Sequence, residues 1–303
     1  MEIYMTDNSD RLYEEVTIES WEELKYYSGC RNLNASDEKK WSRWIFRGHK
    51  CASWHLSTTI ERTLRDRFDI DLSEAWKWER RLSREFMRKA QGHITNPPKA
   101  TDYMEWLAVM QHYGAPTRLL DWTYSFWVAV FFALDAAKFS NAKSCAVWAL
   151  QIDWWRDKCV ADQVPELKEM LKRGSNLKRE INFILNKQVK PGIWPLNAHR
   201  LNERVIAQQA LFVVPLDVTK TFMENLGDCS KGQQKLSQHM IKFVIPCNKE
   251  IVGEAIKYLH GHNMTSGTIF PGIDGFARSI GNLVLQPDRF INIGDDRVRL
   301  WPN

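Results

Sequence analysis

The segment from Gln111 to Leu134, QHYGAPTRLLDWTYSFWVAVFFAL, constrains this chain more than any other part of its sequence. Its second half contains nine consecutive apolar residues, Phe126 to Leu134. Because apolar residues fill every position rather than one stripe, this run predicts a helix that is buried on all sides. The polar residues before this helix predict a hydroxyl-rich turn, which can place side chains beside a ligand phosphate or ribose. These residues are His112, Arg118, Asp121, Thr123 and Ser125. We therefore expect a binding or catalytic site here.

The bulk composition is that of a soluble globular protein. The chain has 303 residues, of which 44% are hydrophobic and 26% are charged. Its cysteines, at positions 30, 51, 145, 159, 229 and 247, form no CxxC pair and resemble neither a disulfide framework nor a zinc site. The N-terminus is polar, and no apolar run is long enough to span a bilayer. We expect a cytoplasmic protein that needs no metal and does not enter a membrane.

The charge is mild, at +5, and by itself does not indicate nucleic-acid binding. The arginines and lysines between residues 61 and 89 alternate with acidic residues, which favours a solvated helix face over a surface for a phosphate-rich partner. The chain contains 14 tryptophans, many of them in its first half. Packing in a core or groove is the favoured interpretation, and stacking on nucleobases is the alternative.

The pattern of apolar residues predicts helices and strands in irregular alternation. Predicted helices cover residues 17–27 (with a capping box from Ser20 and Glu23), 71–91, 103–111 and 249–261, with a helical insertion at 166–188 and a tight loop entering a short helix at 264–282. Predicted strands cover residues 44–48, 144–152 and 240–246, and the segment 204–215 carries strand residues at both of its ends. Because there is no regular βαβ rhythm, we predict an α+β fold.

Five motifs resemble those of the FRG domain family. They are Phe46-Arg47-Gly48, residues 111–123, residues 128–133 (VAVFFA), the segment from Arg204 to Phe212, and residues 270–275 (FPGIDG). The resemblance implies a domain at 20–290 with helical insertions at about 60–110 and 160–190. Residues 1–19 would then be an N-terminal extension, and residues 291–303 a C-terminal tail.

A more distant similarity connects the chain with ADP-ribosyltransferases of the Arg/Ser-Thr-Ser/Glu class. Those enzymes place an arginine on a first strand, a hydroxyl motif before a helix, and a glutamate at a late strand. The matching segments are residues 46–48, 121–133 and 202–214, with Gln208 or Gln209 where a glutamate is expected. The similarity implies an ADP-ribosyltransferase-like mixed β core with NAD as substrate. The enzyme would modify a macromolecular target or cleave NAD, as a toxin or antiphage effector.

The same similarity suggests roles for individual residues. Arg47, with Gly48, would clamp a pyrophosphate, or else form a structural ion pair. Thr123 and Ser125 would orient the cofactor or cap the next helix. Arg118 and Asp121 would contact the ligand or lock the turn by pairing with each other, and His112 would act as an acid or base or be structural.

Glutamine cannot be a general base, so Gln208 would only position a group by hydrogen bonding. The charge that catalysis needs would then come from Glu203, or from Asp121 or Asp274. Two non-enzymatic interpretations stay open. One is a nucleotide-sensing or protein-binding module, and the other is a nucleic-acid-binding protein that uses the basic segment 61–89.

Overall fold

The computed structural model of the protein describes residues 12–29, 44–137, 143–161, 163–172, 177–186, 190–197, 203–233 and 236–280. The predicted tail, 291–303, and most of the predicted extension lie outside these ranges. The strands are β1 (Glu14–Thr17), β2 (Trp44–His49), β3 (Leu120–Thr123), β4 (Ser144–Gln151), β5 (Ile193–Leu196), β6 (Ala210–Pro215) and β7 (Met240–Pro246). They form one sheet in the order β1-β7-β4-β2-β3-β6-β5.

Thirteen α-helical segments surround this sheet in the described part of the chain. They are α1 (Trp21–Gly29), α2 (Thr59–Glu61), α3 (Ala75–Ala90), α4 (Tyr103–His112), α5 (Phe126–Ala137), α6 (Ile152–Trp154), α7 (Pro165–Lys172), α8 (Leu177–Asn186), α9 (Glu203–Ala207), α10 (Phe222–Cys229), α11 (Lys249–Gly261), α12 (Ser266–Ile269) and α13 (Ile273–Ile280). Two π-helical turns, Arg62–Arg67 and Trp155–Val160, and two 3-10 turns, Leu72–Glu74 and Leu236–Gln238, complete the helical content. The predicted α+β class is confirmed. None of the described helices is long and apolar enough to cross a membrane.

The sheet is mixed because β1 pairs with β7 in parallel, whereas the other neighbouring strands are antiparallel. β1 lies within residues 1–19, so at least this part of the predicted N-terminal extension belongs to the sheet. The predicted helix 17–27 begins later, at Trp21. Ser20 does cap it, since its Oγ accepts a hydrogen bond from the Glu23 backbone N at 3.2 Å.

Helix α5 covers one face of the sheet and packs against β2 and β4. Its apolar run is buried as predicted, except that Trp127 and Phe132 keep partial exposure. Gly48 of β2 allows this packing, because a Cβ at that position would lie 2.1 Å from the carbonyl oxygen of Ala129 and 2.6 Å from the backbone N of Ala133. The glycine is therefore required by the contact between strand and helix.

The opposite face of the sheet carries the larger core, to which four fully buried tryptophans contribute: Trp106, Trp148, Trp155 and Trp194. These four tryptophans therefore pack in the core, which is the role that the sequence favoured over stacking on nucleobases. The sequence predicted the segment before α5 as a turn, but residues 120–123 form strand β3 between β2 and β6. β5 and α10 were not predicted at all.

Candidate functional site

An open cleft of about 2260 Å³ lies beside β2, β3, α4, α9 and α13. Most of the predicted site residues line it: Arg47, Gly48, His112, Asp121, Thr123, Glu203, Gln208 and Asp274. Arg118 and Ser125 do not. The cleft is larger than the roughly 300–1,000 Å³ typical of a small-molecule pocket.

Arg47 is held in the wall of the cleft by two neighbours. Its Nη1 donates to the backbone carbonyl of Asp121 at 2.5 Å, and its Nε donates to Nε2 of His49 at 3.2 Å. Among the described residues Arg47 makes no salt bridge, and its Nη2 makes no hydrogen bond. Burial is the main cause that lowers the pKa of Arg47 to about 10. The charge of Asp121 opposes this shift, and the charge of Arg62 adds to it. Arg47 is thus a positioned, desolvated cation without a carboxylate in direct contact.

His49 is a member of the site that the sequence did not indicate. It is buried, and it lies on the same face of β2 as Arg47 because side chains alternate along a strand. Burial lowers its pKa to about 3, and the nearby charge of Arg47 adds to the effect. Its ring is therefore neutral at physiological pH, so it can accept the hydrogen bond from Arg47.

Asp121 is fixed by Gln111, not by Arg118. Its Oδ2 accepts a hydrogen bond from Nε2 of Gln111 at 2.7 Å. Oε1 of Gln111 accepts in turn from Oγ1 of Thr117 at 2.6 Å. This chain of bonds ties α4 to β3 and directs the carboxylate of Asp121 toward Gln111 while its carbonyl faces Arg47.

Arg118 lies in the core and is not available to a ligand. Its side chain is 0% exposed and pairs with Glu79 of α3, whose side chain is 1% exposed. Nε of Arg118 donates to both carboxylate oxygens, at 2.8 and 2.9 Å, and Nη2 donates to Oε2. The predicted pairing with Asp121 is wrong, because Glu79 supplies the partner from a helix that local spacing could not connect to this segment.

Thr123 and Ser125 both have structural roles. Oγ1 of Thr123 donates to the backbone carbonyl of Gln208 at 2.7 Å and accepts from the backbone N of Ser125 at 3.0 Å. Oγ of Ser125 accepts from the backbone N of Val128 at 3.3 Å, which caps α5. Of the two roles left open by the sequence, capping is therefore seen for Ser125, and Thr123 connects the end of β3 to the start of β6.

The segment 203–210 brings Glu203 and Gln208 to the cleft. Glu203 is exposed at the first turn of α9, and Gln208 lies two residues before β6. Nε2 of Gln208 donates to the backbone carbonyl of Ile269 at 3.1 Å. Gln209 adopts a left-handed backbone with φ of 45°. The segment is thus held between β3 and α12, and Glu203 is the carboxylate of α9 that faces the cleft.

His112 lies at the end of α4, exposed to solvent in the same wall of the cleft. Burial is the larger cause that lowers its pKa, and the charge of Arg204 contributes. Arg204 also stacks on the ring of Phe270, 5.0 Å from its centroid. The lowered pKa of His112 disfavours its protonated form. The predicted role of His112 as an acid or base would therefore be that of a base, with a neutral ring.

The family model of the FRG domain matches residues 42–142, about a third of the chain. The chain contains an FRG domain. No curated protein and no solved structure matches it. Within the described residues, no group of three or more His, Cys, Asp or Glu side chains is arranged to hold a metal ion.

The structure separates the roles of the residues in this FRG domain. In the Phe46-Arg47-Gly48 motif, Phe46 packs on Phe126 with ring centroids 5.4 Å apart, Arg47 faces the cleft, and Gly48 lets α5 approach. The matched range includes the Arg47–Asp121 contact. Glu203 and Gln208 lie outside it, so the family match carries no information about them.

Sequence reasoning missed His49, Gln111 and Arg62 as cleft residues. Gln111 stood inside the most informative segment, and its amide could have been weighed as a partner for Asp121. Arg62 belongs to the basic segment 61–89, for which the sequence favours a solvated helix face. Along α3 that description holds, since Lys77 pairs with Glu74, and Arg88 and Lys89 pair with Glu85.

Proposed function

We propose that the cleft of the FRG domain binds NAD by its pyrophosphate and that the protein consumes it, as an ADP-ribosyltransferase or an NAD glycohydrolase. The observation that carries the proposal is Arg47. A guanidinium that is fixed by its neighbours, desolvated and without a carboxylate partner gains strongly from a phosphate, because charge-assisted bonds form best to a preorganised donor.

The arrangement of the strands supports the similarity to ADP-ribosyltransferases. The three similar segments belong to β2, to β3 with α5, and to α9 with β6. β2, β3 and β6 are direct neighbours in the sheet. The arginine, the hydroxyl residue and the position expected for glutamate therefore surround one region, and Thr123 bonds to the backbone of Gln208 within it.

Glu203 is our candidate for the missing carboxylate. NAD cleavage breaks the bond between the nicotinamide nitrogen and the ribose, and the ribose develops positive charge that a nearby anion stabilises. Gln208 cannot supply that charge, and the carboxylate of Asp121 is bound by Gln111. Glu203 is exposed and lines the cleft, so in this proposal it faces the ribose while Arg47 holds the pyrophosphate. The acceptor would be a macromolecule or water.

The experiment is calorimetry with NAD together with a nicotinamide-release assay. Arg47→Ala should abolish NAD binding with little change in melting temperature, since Arg47 makes no salt bridge with the described residues. Glu203→Gln should retain binding and lose cleavage, and Gln208→Glu should preserve or raise cleavage. Failure of the wild type to bind or cleave NAD would refute the proposal.

One observation favours a second candidate, a nucleotide-sensing module without catalysis. The amide of Gln208 is bound to the carbonyl of Ile269, so it holds α12 in place at the position where a catalytic glutamate is expected. This candidate expects NAD to bind in an Arg47-dependent way, with no nicotinamide released by the wild type or by Gln208→Glu. A role as a toxin or antiphage effector is a further proposal, tested by comparing cell viability on expression of the wild type and of Arg47→Ala.

A further inference from the structure

Arg62 is a cleft residue with no role so far. It begins the π-helical turn Arg62–Arg67 directly after α2. Turns of this kind are rare, and they occur frequently at functional sites. Glu61, at the end of α2, is buried and accepts hydrogen bonds from the backbone N of Phe222 at 3.0 Å and of Thr58 at 3.4 Å. These contacts fix the start of the turn against α10.

The guanidinium of Arg62 is held by oxygen atoms that carry no charge. Nη1 donates to the backbone carbonyl of Ser57 and to its Oγ at 3.1 Å, and Nη2 donates to Oγ1 of Thr59 at 3.3 Å. Within the described ranges, neither Arg62 nor Arg47 forms a salt bridge. Arg65 of the same turn differs, since it pairs with Glu61 at 3.4 Å and with Asp66 at 2.7 Å.

Arg47 and Arg62 both line the cleft, together with His49 and Asp121. Besides the larger effect of burial, the charge of Arg62 lowers the pKa of Arg47, and both arginines lower the pKa of His49. Asp121 is the acidic group that influences both arginines, and its carboxylate is bound by Gln111. The charges of Glu61 and Asp66 also oppose the lowering of the Arg62 pKa by burial, but both of these carboxylates pair with Arg65. No described carboxylate contacts either guanidinium directly, so the region suits an anion.

We propose that Arg47 and Arg62 form a two-armed clamp for a diphosphate group, with each guanidinium binding one of the two phosphates. The clamp rests on the proposed nucleotide-binding function and specifies that the ligand is a nucleoside diphosphate or a dinucleotide joined by a pyrophosphate. Each guanidinium is anchored by its own element, β2 or the π-helical turn. In this proposal, two linked phosphates bridge the two guanidinium groups, and each phosphate forms charge-assisted bonds to one of them.

Calorimetry with ADP, AMP and inorganic pyrophosphate tests the clamp. Arg62→Gln should weaken binding of ADP and pyrophosphate about tenfold or more, because a charge-assisted contact to one phosphate is lost. AMP should lose less than about threefold, because its single phosphate stays on Arg47. Arg65→Gln is the matched control on the same turn, and it should leave all three affinities unchanged. Arg62→Lys should recover part of the ADP affinity, since lysine restores the charge without the planar fork.

The clamp is overturned if the wild type binds neither ADP nor pyrophosphate, or if Arg62→Gln weakens AMP as much as ADP. It is also overturned if Arg65→Gln has the same effect as Arg62→Gln. If Arg62→Gln does not fold, the comparison of Arg62→Lys with the wild type decides in its place. ADP binding that depends on Arg62, in a protein that neither binds nor cleaves NAD, would support the clamp and refute the proposed function.

Discussion

The buried pair of Arg118 and Glu79 makes a quantitative prediction about folding. Both side chains are almost inaccessible, and three hydrogen bonds join the guanidinium to the carboxylate. Burial opposes the charge of Arg118, but the Glu79 carboxylate outweighs it and raises the pKa of Arg118. The guanidinium is therefore charged in the folded state. Its Nη1 has no hydrogen-bond partner, so Glu79 is the main compensation for that charge.

Glu79→Gln keeps the size of the side chain and removes its charge. Breaking a buried ion pair from one side costs about 3–5 kcal/mol, because the remaining charge stays buried without compensation. Urea unfolding followed by far-ultraviolet circular dichroism measures this loss. If the free energy of unfolding falls by about 3 kcal/mol per molar urea, the urea concentration at the midpoint of unfolding should fall by about 1 M or more.

The double variant Glu79→Leu with Arg118→Met is the control. Replacing both charges by apolar groups of similar volume is often neutral or stabilising, so this variant should recover most of the loss. If Glu79→Gln lowers the free energy of unfolding by less than about 1 kcal/mol, the argument is refuted. A double variant that is as unstable as the single one would refute it as well, because the cost would then come from packing alone.

Three further substitutions test the fold around the site. His49→Gln keeps an acceptor for Arg47 and removes a group whose pKa burial lowers to about 3. The stability that the neutral His49 ring contributes is complete above pH 6.5 and is lost as the pH falls toward 3. Between pH 7 and pH 5 the free energy of unfolding, measured in urea, should therefore fall by about 2 kcal/mol more in the wild type than in the variant. Equal losses in the two proteins would contradict this prediction. Gly48→Ala places a Cβ 2.1 Å from a backbone oxygen of α5 and should cost about 3 kcal/mol, whereas Gly253→Ala, with no atom within 4 Å of its new Cβ, should cost nothing. Val130→Asp buries an unpaired charge in α5 and should yield no folded soluble protein, so a soluble variant that melts cooperatively would contradict the assigned burial.

Local patterns in the sequence predicted the elements that are uniformly apolar or clearly periodic. α5, β4 and β7 fall where the apolar runs placed them, and β2 ends one residue beyond the predicted strand. The contact between Arg47 and Asp121, 74 residues apart, joins two polar groups that each lie beside a very apolar run of the sequence. The motifs that resemble the FRG family predicted the FRG domain that the family model matches at residues 42–142.

Elements whose stability comes from their neighbours were not visible in the sequence. The segment 120–123 is short and carries Asp and Thr, and it is a strand because β2 and β6 pair with it on both sides. β1 is likewise defined by its parallel pairing with β7. In each case the hydrogen bonds that create the strand come from distant segments, so a local window contains no signal for them.

The sequence by itself determined which charged residues lie next to apolar segments. The tertiary structure decided which of those charges pair with an oppositely charged side chain. Arg118 and Arg47 are both arginines next to buried elements, yet Glu79 compensates the first and no described carboxylate pairs with the second. Arg62, in a basic stretch that reads as a solvated face, reaches the cleft because Glu61 pins its turn against α10. The reason is that the partner of a charge is set by distance in space, and pairs such as Arg118 with Glu79 join residues that the sequence keeps far apart.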